Sequence, residues 1–159
     1  MSVVIRPADR SDVPVIDGLI RGLARFEKLE EEVTMTEELL ARNLFGPRPY
    51  AETLIAEDGA APVGFALFFH NFSTFLAKPG IYLEDLFVVP EHRGRGIGRA
   101  LLQRLAQIAV QRDCGRLEWA VLDWNREAIG FYERLGAKPN SEWTVYRLTG
   151  EALTVLGRE

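Results

Sequence analysis

The chain has 159 residues, of which 47% are hydrophobic and 26% charged, with a formal net charge of -4. That fits one domain with a real core and excludes a disordered chain. The negative charge gives no general attraction to nucleic acid or to an anionic membrane, and no apolar run approaches the roughly 18–20 residues that span a bilayer.

The start, MSVVIRPADR, lacks the basic stretch and apolar run of a signal peptide. Cys114 is the single cysteine, so no intramolecular disulfide is possible, and His70 and His92 lack a ligand spacing. The expectation is a metal-free, cytoplasmic protein with neither nucleic acid nor membrane as partner. The charges are unevenly spread: Arg93, Arg95 and Arg99 crowd one stretch, and Glu27, Glu30, Glu31 and Glu32 another.

Val3 to Ile5 reads as a strand ended by Pro7. Ser11 offers an N-cap, and Val13, Ile16, Leu19, Ile20 and Leu23 recur at helical spacing to about Phe26. A second helix follows Thr36 and stops at Gly46-Pro47. Ala51–Glu57 and Val63–His70 read as strands joined by a turn at Asp58-Gly59. Ile81–Val89 is a further strand, ended by Pro90. Gly96 or Gly98 opens a long helix carrying Leu101, Leu102, Leu105 and Ile108 on its apolar face. Leu117–Leu122 reads as a strand, Glu127–Leu135 as a helix closed by Gly136, Val145–Leu148 as a last strand, and Glu151–Leu156 as a terminal turn of helix. This order predicts one α/β domain over residues 1–159 with a mixed sheet.

The most informative stretch runs from Tyr82 to Gly98, YLEDLFVVPEHRGRGIG. A strand ends, a turn carries three alternating glycines and two arginines, and a helix begins. A helix N-terminus has unpaired N–H groups and about half a positive charge, and glycines let a phosphate approach them. Arg93 and Arg95 add charge, so a pyrophosphate is the natural guest. No Gly-Lys-Ser/Thr is present, and the glycines do not match G-x-G-x-x-G, so neither common nucleotide loop fits. A solvated turn with a basic helix start is the alternative at this point.

Arg93-x-x-Gly96-x-Gly98, set between a strand and a long helix, resembles the acetyl-CoA signature of the GNAT superfamily of N-acetyltransferases. Asn125-Arg-Glu-Ala-Ile-Gly-Phe-Tyr-Glu-Arg-Leu-Gly-Ala137 resembles the helix of that superfamily in which Asn faces the cofactor and Tyr lies near its sulfur. The segments Ile5-Arg-Pro-Ala, Leu23–Val33, Val63-Gly-Phe-Ala66 and Tyr82–Val88 are similar to the diamine (spermidine/spermine) N-acetyltransferase family. The stretches Ser73–Gly80 and Lys138–Thr144 depart from it, with Trp143 alone as a match in the second.

The resemblance implies a GNAT fold, a mostly antiparallel twisted sheet flanked by helices, and a homodimer. It implies acetyl-CoA as co-substrate, held by Leu86, Phe87 and Val88 of the strand, by Arg93, Gly94, Arg95, Gly96, Ile97, Gly98 and Arg99 of the turn and helix start, and by Asn125 and Tyr132. Glu84 is implied as the base and Tyr132 as the acid toward the leaving thiolate. Glu27, Glu84, Asp85 and Trp143 are implied around a small-molecule amine acceptor, a diamine, a polyamine or a thialysine-like compound. A GNAT enzyme for another amine (amino acid, aminoglycoside or protein lysine) and a non-catalytic acyl-CoA-binding module remain alternatives.

The chemistry sets its own demands. A lysine-like amine has a pKa near 10.4, so at pH 7 roughly one molecule in 2,500 is neutral and nucleophilic. A base must take up the proton, directly or through water. In a regular strand Glu84 and Asp85 would point to opposite faces; the resemblance implies a bulge near here that redirects one of them. Cys114, with no histidine near it in sequence, is expected to be structural, and attack is expected to be direct, without an acyl-enzyme.

Overall fold

The structure is a computed structural model, and it describes residues 2–158. The chain divides into two compact units, Met1–Ala120 and Val121–Glu159.

The first unit holds a five-stranded sheet in the order β1-β2-β3-β4-β5. The strands are β1 (Val3–Pro7), β2 (Glu52–Asp58), β3 (Ala61–Ser73), β4 (Lys78–Val88) and β5 (Leu117–Trp119). The first four pair antiparallel in sequence order, and β5 joins β4 in parallel. Three helices belong to this unit: α1 (Val13–Phe26), α2 (Glu37–Phe45) and α3 (Ile97–Gln111).

The periodic apolar residues of α1 do what their spacing requires. Ile16, Leu19 and Leu23 are buried, and Leu19 and Leu23 pack on Phe65 of β3 and Phe87 of β4. The approach is close at Gly22, where an added Cβ would stand 3.0 Å from the Phe87 ring. On the opposite face α3 buries Ile97, Leu101, Leu102 and Leu105, with Leu101 lying against Gly64. The core is therefore two apolar layers, one on each side of β3 and β4.

Helix ends follow local chemistry. Thr36 caps α2, its Oγ1 accepting the Leu39 N–H at 3.1 Å. At the start of α1 the cap is not Ser11. A 3-10 turn over Arg10–Asp12 precedes the helix, and Asp9 caps it reciprocally with Asp12. Asp9 accepts from the Ser11 N–H at 2.9 Å, and Asp12 accepts from the Asp9 N–H at 2.8 Å. A carboxylate at the cap position outcompetes the hydroxyl two residues on.

The second unit contains α4 (Arg126–Arg134) and α5 (Gly150–Leu156). Asn125 Oδ1 accepts the Ala128 N–H at 3.2 Å and caps α4, and Gly136, with φ +93°, follows its last turn. Two expected strands are corrected here. Val145–Leu148 forms no strand: among the described residues no strand pairs with it, and an extended segment without a ladder is not a strand. The strand expected over Leu117–Leu122 stops at Trp119, where its pairing with β4 ends.

Candidate active site

The site begins with a defect in β4. Leu67 of β3 stands opposite Asp85, and Phe68 stands opposite Leu83, so Glu84 is an extra residue at a β-bulge. The bulge changes which side chains share a face. Tyr82 pairs with Phe69 and Asp85 with Leu67, and Leu67 and Phe69 lie on one face of β3. Tyr82 and Asp85 therefore share the α1 face, with Glu84 inserted between them. The Phe69 and Tyr82 rings lie 5.4 Å apart along that face.

Three carboxylates interact at this point. Asp85 is pushed up to about 7, first by burial and then by the negative charges of Glu84 and Glu27. Burial also raises Glu27, the residue that closes α1. The Tyr82 phenol is raised by burial and by Glu84 and Glu118. Carboxylates that raise one another in this way favour a cationic guest. Glu30, Glu31 and Glu32 form a separate 3-10 turn, sharing a shallow cleft with Arg25 and Lys28.

The bulge also marks where the sheet opens. β5 pairs with β4 only at Ile81, Tyr82 and Leu83. The Val89 N–H donates to Val63 O at 2.9 Å. Antiparallel alternation then directs Phe87 toward β3, and turns the N–H groups of Leu86 and Val88 to the other edge, where β5 has ended. Those groups face outward from the sheet one residue beyond the carboxylates. Phe87 itself is buried, so its ring belongs to the core.

After β4 the chain turns through Pro90–His92 into the glycine segment. Gly94 and Gly96 have φ of +77° and +80°, a conformation glycine adopts freely. Gly96 starts α3 with no side-chain cap, so the first-turn N–H groups receive no side-chain acceptor. Gly98 is different. Its φ is ordinary, and an added Cβ would meet only Val88 Cγ2 at 3.9 Å. The protein's own packing gives no reason for glycine there, whereas a phosphate resting on the helix start does. The residues present thus fit a pyrophosphate. Ile97 is buried, leaving its backbone as the available group, and Arg99 is exposed.

The two arginines of the turn have protein partners. Arg95 Nη1 lies 3.3 Å from Asp58 Oδ2, and Asp58 also accepts from Ser2 at 2.7 Å. Arg93 donates from Nε to Val88 O at 2.9 Å. Its guanidinium sits over Phe26 at 4.4 Å from the ring centroid and over Phe87 at 5.5 Å. Sequence spacing gives no sign of either arrangement.

In the second unit Asn125 is the α4 cap, and Tyr132 lies in α4 beside Phe131, with ring centroids 5.5 Å apart. Trp143 is 76% exposed. Cys114 has a neighbour that sequence reading missed: His70 Nδ1 lies 4.0 Å from its sulfur. That nitrogen donates to Gly80 O at 2.9 Å, and Nε2 accepts from Arg112 at 2.9 Å. Both ring nitrogens are engaged, so the imidazole is not available as a base for the thiol. Among the described residues there is no group of three or more metal-ligating side chains, and no helix is long and apolar enough to cross a membrane.

Residues 19–137 match the acetyltransferase (GNAT) family. The chain belongs to this family. The acetyltransferase is 40% identical over 165 residues to a thialysine N-epsilon-acetyltransferase of Bos taurus, covering 97% of this chain and 96% of that one. It is 35% identical over 159 residues to a spermidine/spermine N(1)-acetyltransferase-like protein of Homo sapiens, covering 94% of this chain and 23% of that protein. Among solved structures, an integron cassette protein of V. cholerae superposes with a TM-score of 0.84 at 29% identity, covering 100% of this chain and 99% of the other. The fold and the family are those expected from the two sequence motifs, and the protein is an N-acetyltransferase.

Proposed function

We propose that this acetyltransferase moves an acetyl group from acetyl-CoA to a primary amine of a small cationic acceptor, a diamine, a polyamine or a thialysine-like compound. Transfer is by direct attack within a ternary complex. The observation that carries the reading is the set of carboxylates Glu27, Glu84 and Asp85, close enough for Glu27 and Glu84 to raise Asp85. Relatives named for thialysine and for spermidine/spermine agree with that charge preference.

Acetyl-CoA supplies, when bound, an activated acyl group. The chain does the rest. Gly94, Gly96 and Gly98 let the diphosphate approach the N–H groups at the start of α3, with Arg99 adding a polar contact, and the family resemblance assigns Asn125 to the cofactor as well. The N–H groups of Leu86 and Val88 face the edge where a carbonyl oxygen gaining charge needs donors. Glu27 and Asp85 hold the acceptor's ammonium groups, and the family resemblance assigns Trp143 to its alkyl chain.

Glu84 takes the proton from the attacking ammonium, directly or through water, so that the nitrogen lone pair is free to form the new C–N bond. The C–S bond then breaks, and the Tyr132 phenol, the donor that the family resemblance assigns, gives its proton to the departing sulfur. The proton gained by Glu84 returns to solvent, and Tyr132 is reprotonated from it. No residue is acylated.

The test is acetyl-CoA consumption with spermidine, putrescine, thialysine, free amino acids and lysine peptides. The reading expects turnover with spermidine, putrescine or thialysine, and little with free amino acids that carry a single ammonium group. Preference for lysine peptides, ping-pong kinetics, or an acetylated enzyme isolated without acceptor would count against it. A homodimer is part of the proposal, and light scattering checks it as twice the chain mass of 17.9 kDa.

A further inference from the structure

We infer that Arg93 is a positioning residue that fastens the Glu27 end of α1 to the glycine turn, and that its side chain is not a ligand for phosphate. The inference rests on the reading above that Glu27 borders the acceptor.

Three contacts fix the Arg93 side chain. Nε donates to Val88 O at 2.9 Å, and the guanidinium lies 4.4 Å from the Phe26 centroid and 5.5 Å from that of Phe87. Phe26 is the last residue of α1, and Glu27 follows it directly. Phe87 is the ring on which α1 packs through Gly22. One side chain thus spans the end of the helix, the strand beneath it and the turn that starts the phosphate-binding segment.

Each part of Arg93 is suited to this task. Its planar cation stacks on aromatic faces better than an ammonium does. The Val88 carbonyl faces the edge that β5 leaves unpaired, so a donor there satisfies an acceptor that the sheet does not. Turning the side chain toward a diphosphate would give up both rings and that bond. The backbone N–H groups of the turn and of α3 do not depend on the Arg93 side chain. The Glu27 carboxylate, by contrast, stays near Asp85 only while the last turn of α1 is held.

The experiment compares Arg93→Met, Phe26→Leu and the double variant, measuring CoA affinity by calorimetry and the acceptor KM with the best amine found. Loss of an exposed cation–π pair predicts that each single variant raises the acceptor KM roughly twofold to fivefold. CoA affinity should stay within about twofold of the parent, and the double variant should be no worse than the worse single one, as expected of residues sharing one contact. Should Arg93→Met fold poorly, Arg93→Lys keeps the charge but loses the planar stack and the Nε bond, and the same partial defect in KM is expected.

A third readout needs no turnover. In the CoA-free protein, a loosened Glu27 lowers the carbon-NMR titration midpoint of Asp85 in both single variants. If wild type acetylates no amine but this shift appears, the transferase reading fails while the positioning role stands. A CoA affinity weakened about tenfold by Arg93→Met, together with an unchanged acceptor KM in Phe26→Leu, makes Arg93 a phosphate ligand and overturns the inference. So does parent-like behaviour of Arg93→Lys in every measurement, since charge alone would then suffice.

Discussion

Tyr82 and Asp85 lie on the same face of β4 although they are three residues apart, because Glu84 is inserted between them as the extra residue of a bulge. The displaced register carries Asp85 under α1 beside Glu27 and away from water, and both burial and like charge raise its carboxyl to about 7. A carboxyl whose folded value lies above its ordinary 3.8 favours folding at low pH and loses that advantage as pH rises toward 7. Asp85→Asn removes the titration. Its stability relative to the parent should rise between about pH 4 and pH 7 and level off above that, with an upper bound of about 4 kcal/mol. Urea unfolding across that range checks it, and a difference independent of pH would falsify the assignment.

Glu84 differs from Asp85 in being exposed, as the extra residue of the bulge. Glu84→Gln keeps the shape and removes the proposed base, and kcat should fall about a hundredfold. Tyr132→Phe keeps the ring contact with Phe131 and removes the proposed proton donor, and kcat should fall at least about tenfold. Steady-state kinetics at saturating acetyl-CoA measure both. Parent-like turnover in the two variants together would mean that the roles lie elsewhere, even with cofactor binding intact.

The features that were legible in the sequence are those set by local chemistry. The apolar spacing from Ile16 to Leu23 fixed α1, Thr36 fixed the start of α2, and the glycines between Arg93 and Gly98 marked the turn before α3. What was not legible depends on pairing across distance. Val145–Leu148 forms no ladder with any described strand, and β5 ends where β4 bulges. Strand alternation alone separates Glu84 from Asp85; the bulge was expected only from the resemblance, and the register now places it at Glu84. The stacking of Arg93 on Phe26 joins residues far apart in sequence, and no motif encodes it. His70 beside Cys114 is the same kind of contact.

The Arg6 side chain ties β1, the turn before α1 and β2 together. It donates to both Asp12 oxygens at 2.8 Å and to Glu57 Oε1 at 2.9 Å. Asp12 is buried, and the Arg6 hydrogen bond is the main cause of its lowered pKa. The sign is opposite to that of Asp85: stability is present above the ordinary aspartate range and is lost as pH falls through the depressed folded value. Asp12→Asn should cost roughly 2–3 kcal/mol at pH 7, the worth of hydrogen bonds to a charged group. The gap to the parent should narrow at acid pH as the parent's own carboxylate is protonated. Urea midpoints at pH 7 and pH 3 test this, and an undiminished gap at pH 3 would place the effect in packing.

Gly98 offers the sharpest separation of folding from cofactor binding. Its backbone is ordinary for a helix start, and a methyl group there would approach only Val88 at 3.9 Å. Alanine is a better helix former than glycine, so Gly98→Ala should leave the fold intact and raise stability by up to about 1 kcal/mol. The same methyl would stand where a diphosphate must come close to the N–H groups at the start of α3. CoA affinity should therefore fall at least about tenfold, the loss of one charge-assisted hydrogen bond, while the melting temperature holds or rises. Calorimetric titration with CoA and thermal unfolding of the same variant read the two effects separately. If CoA binds Gly98→Ala as tightly as the parent, the diphosphate does not rest on this turn, and the role given to the three glycines is wrong.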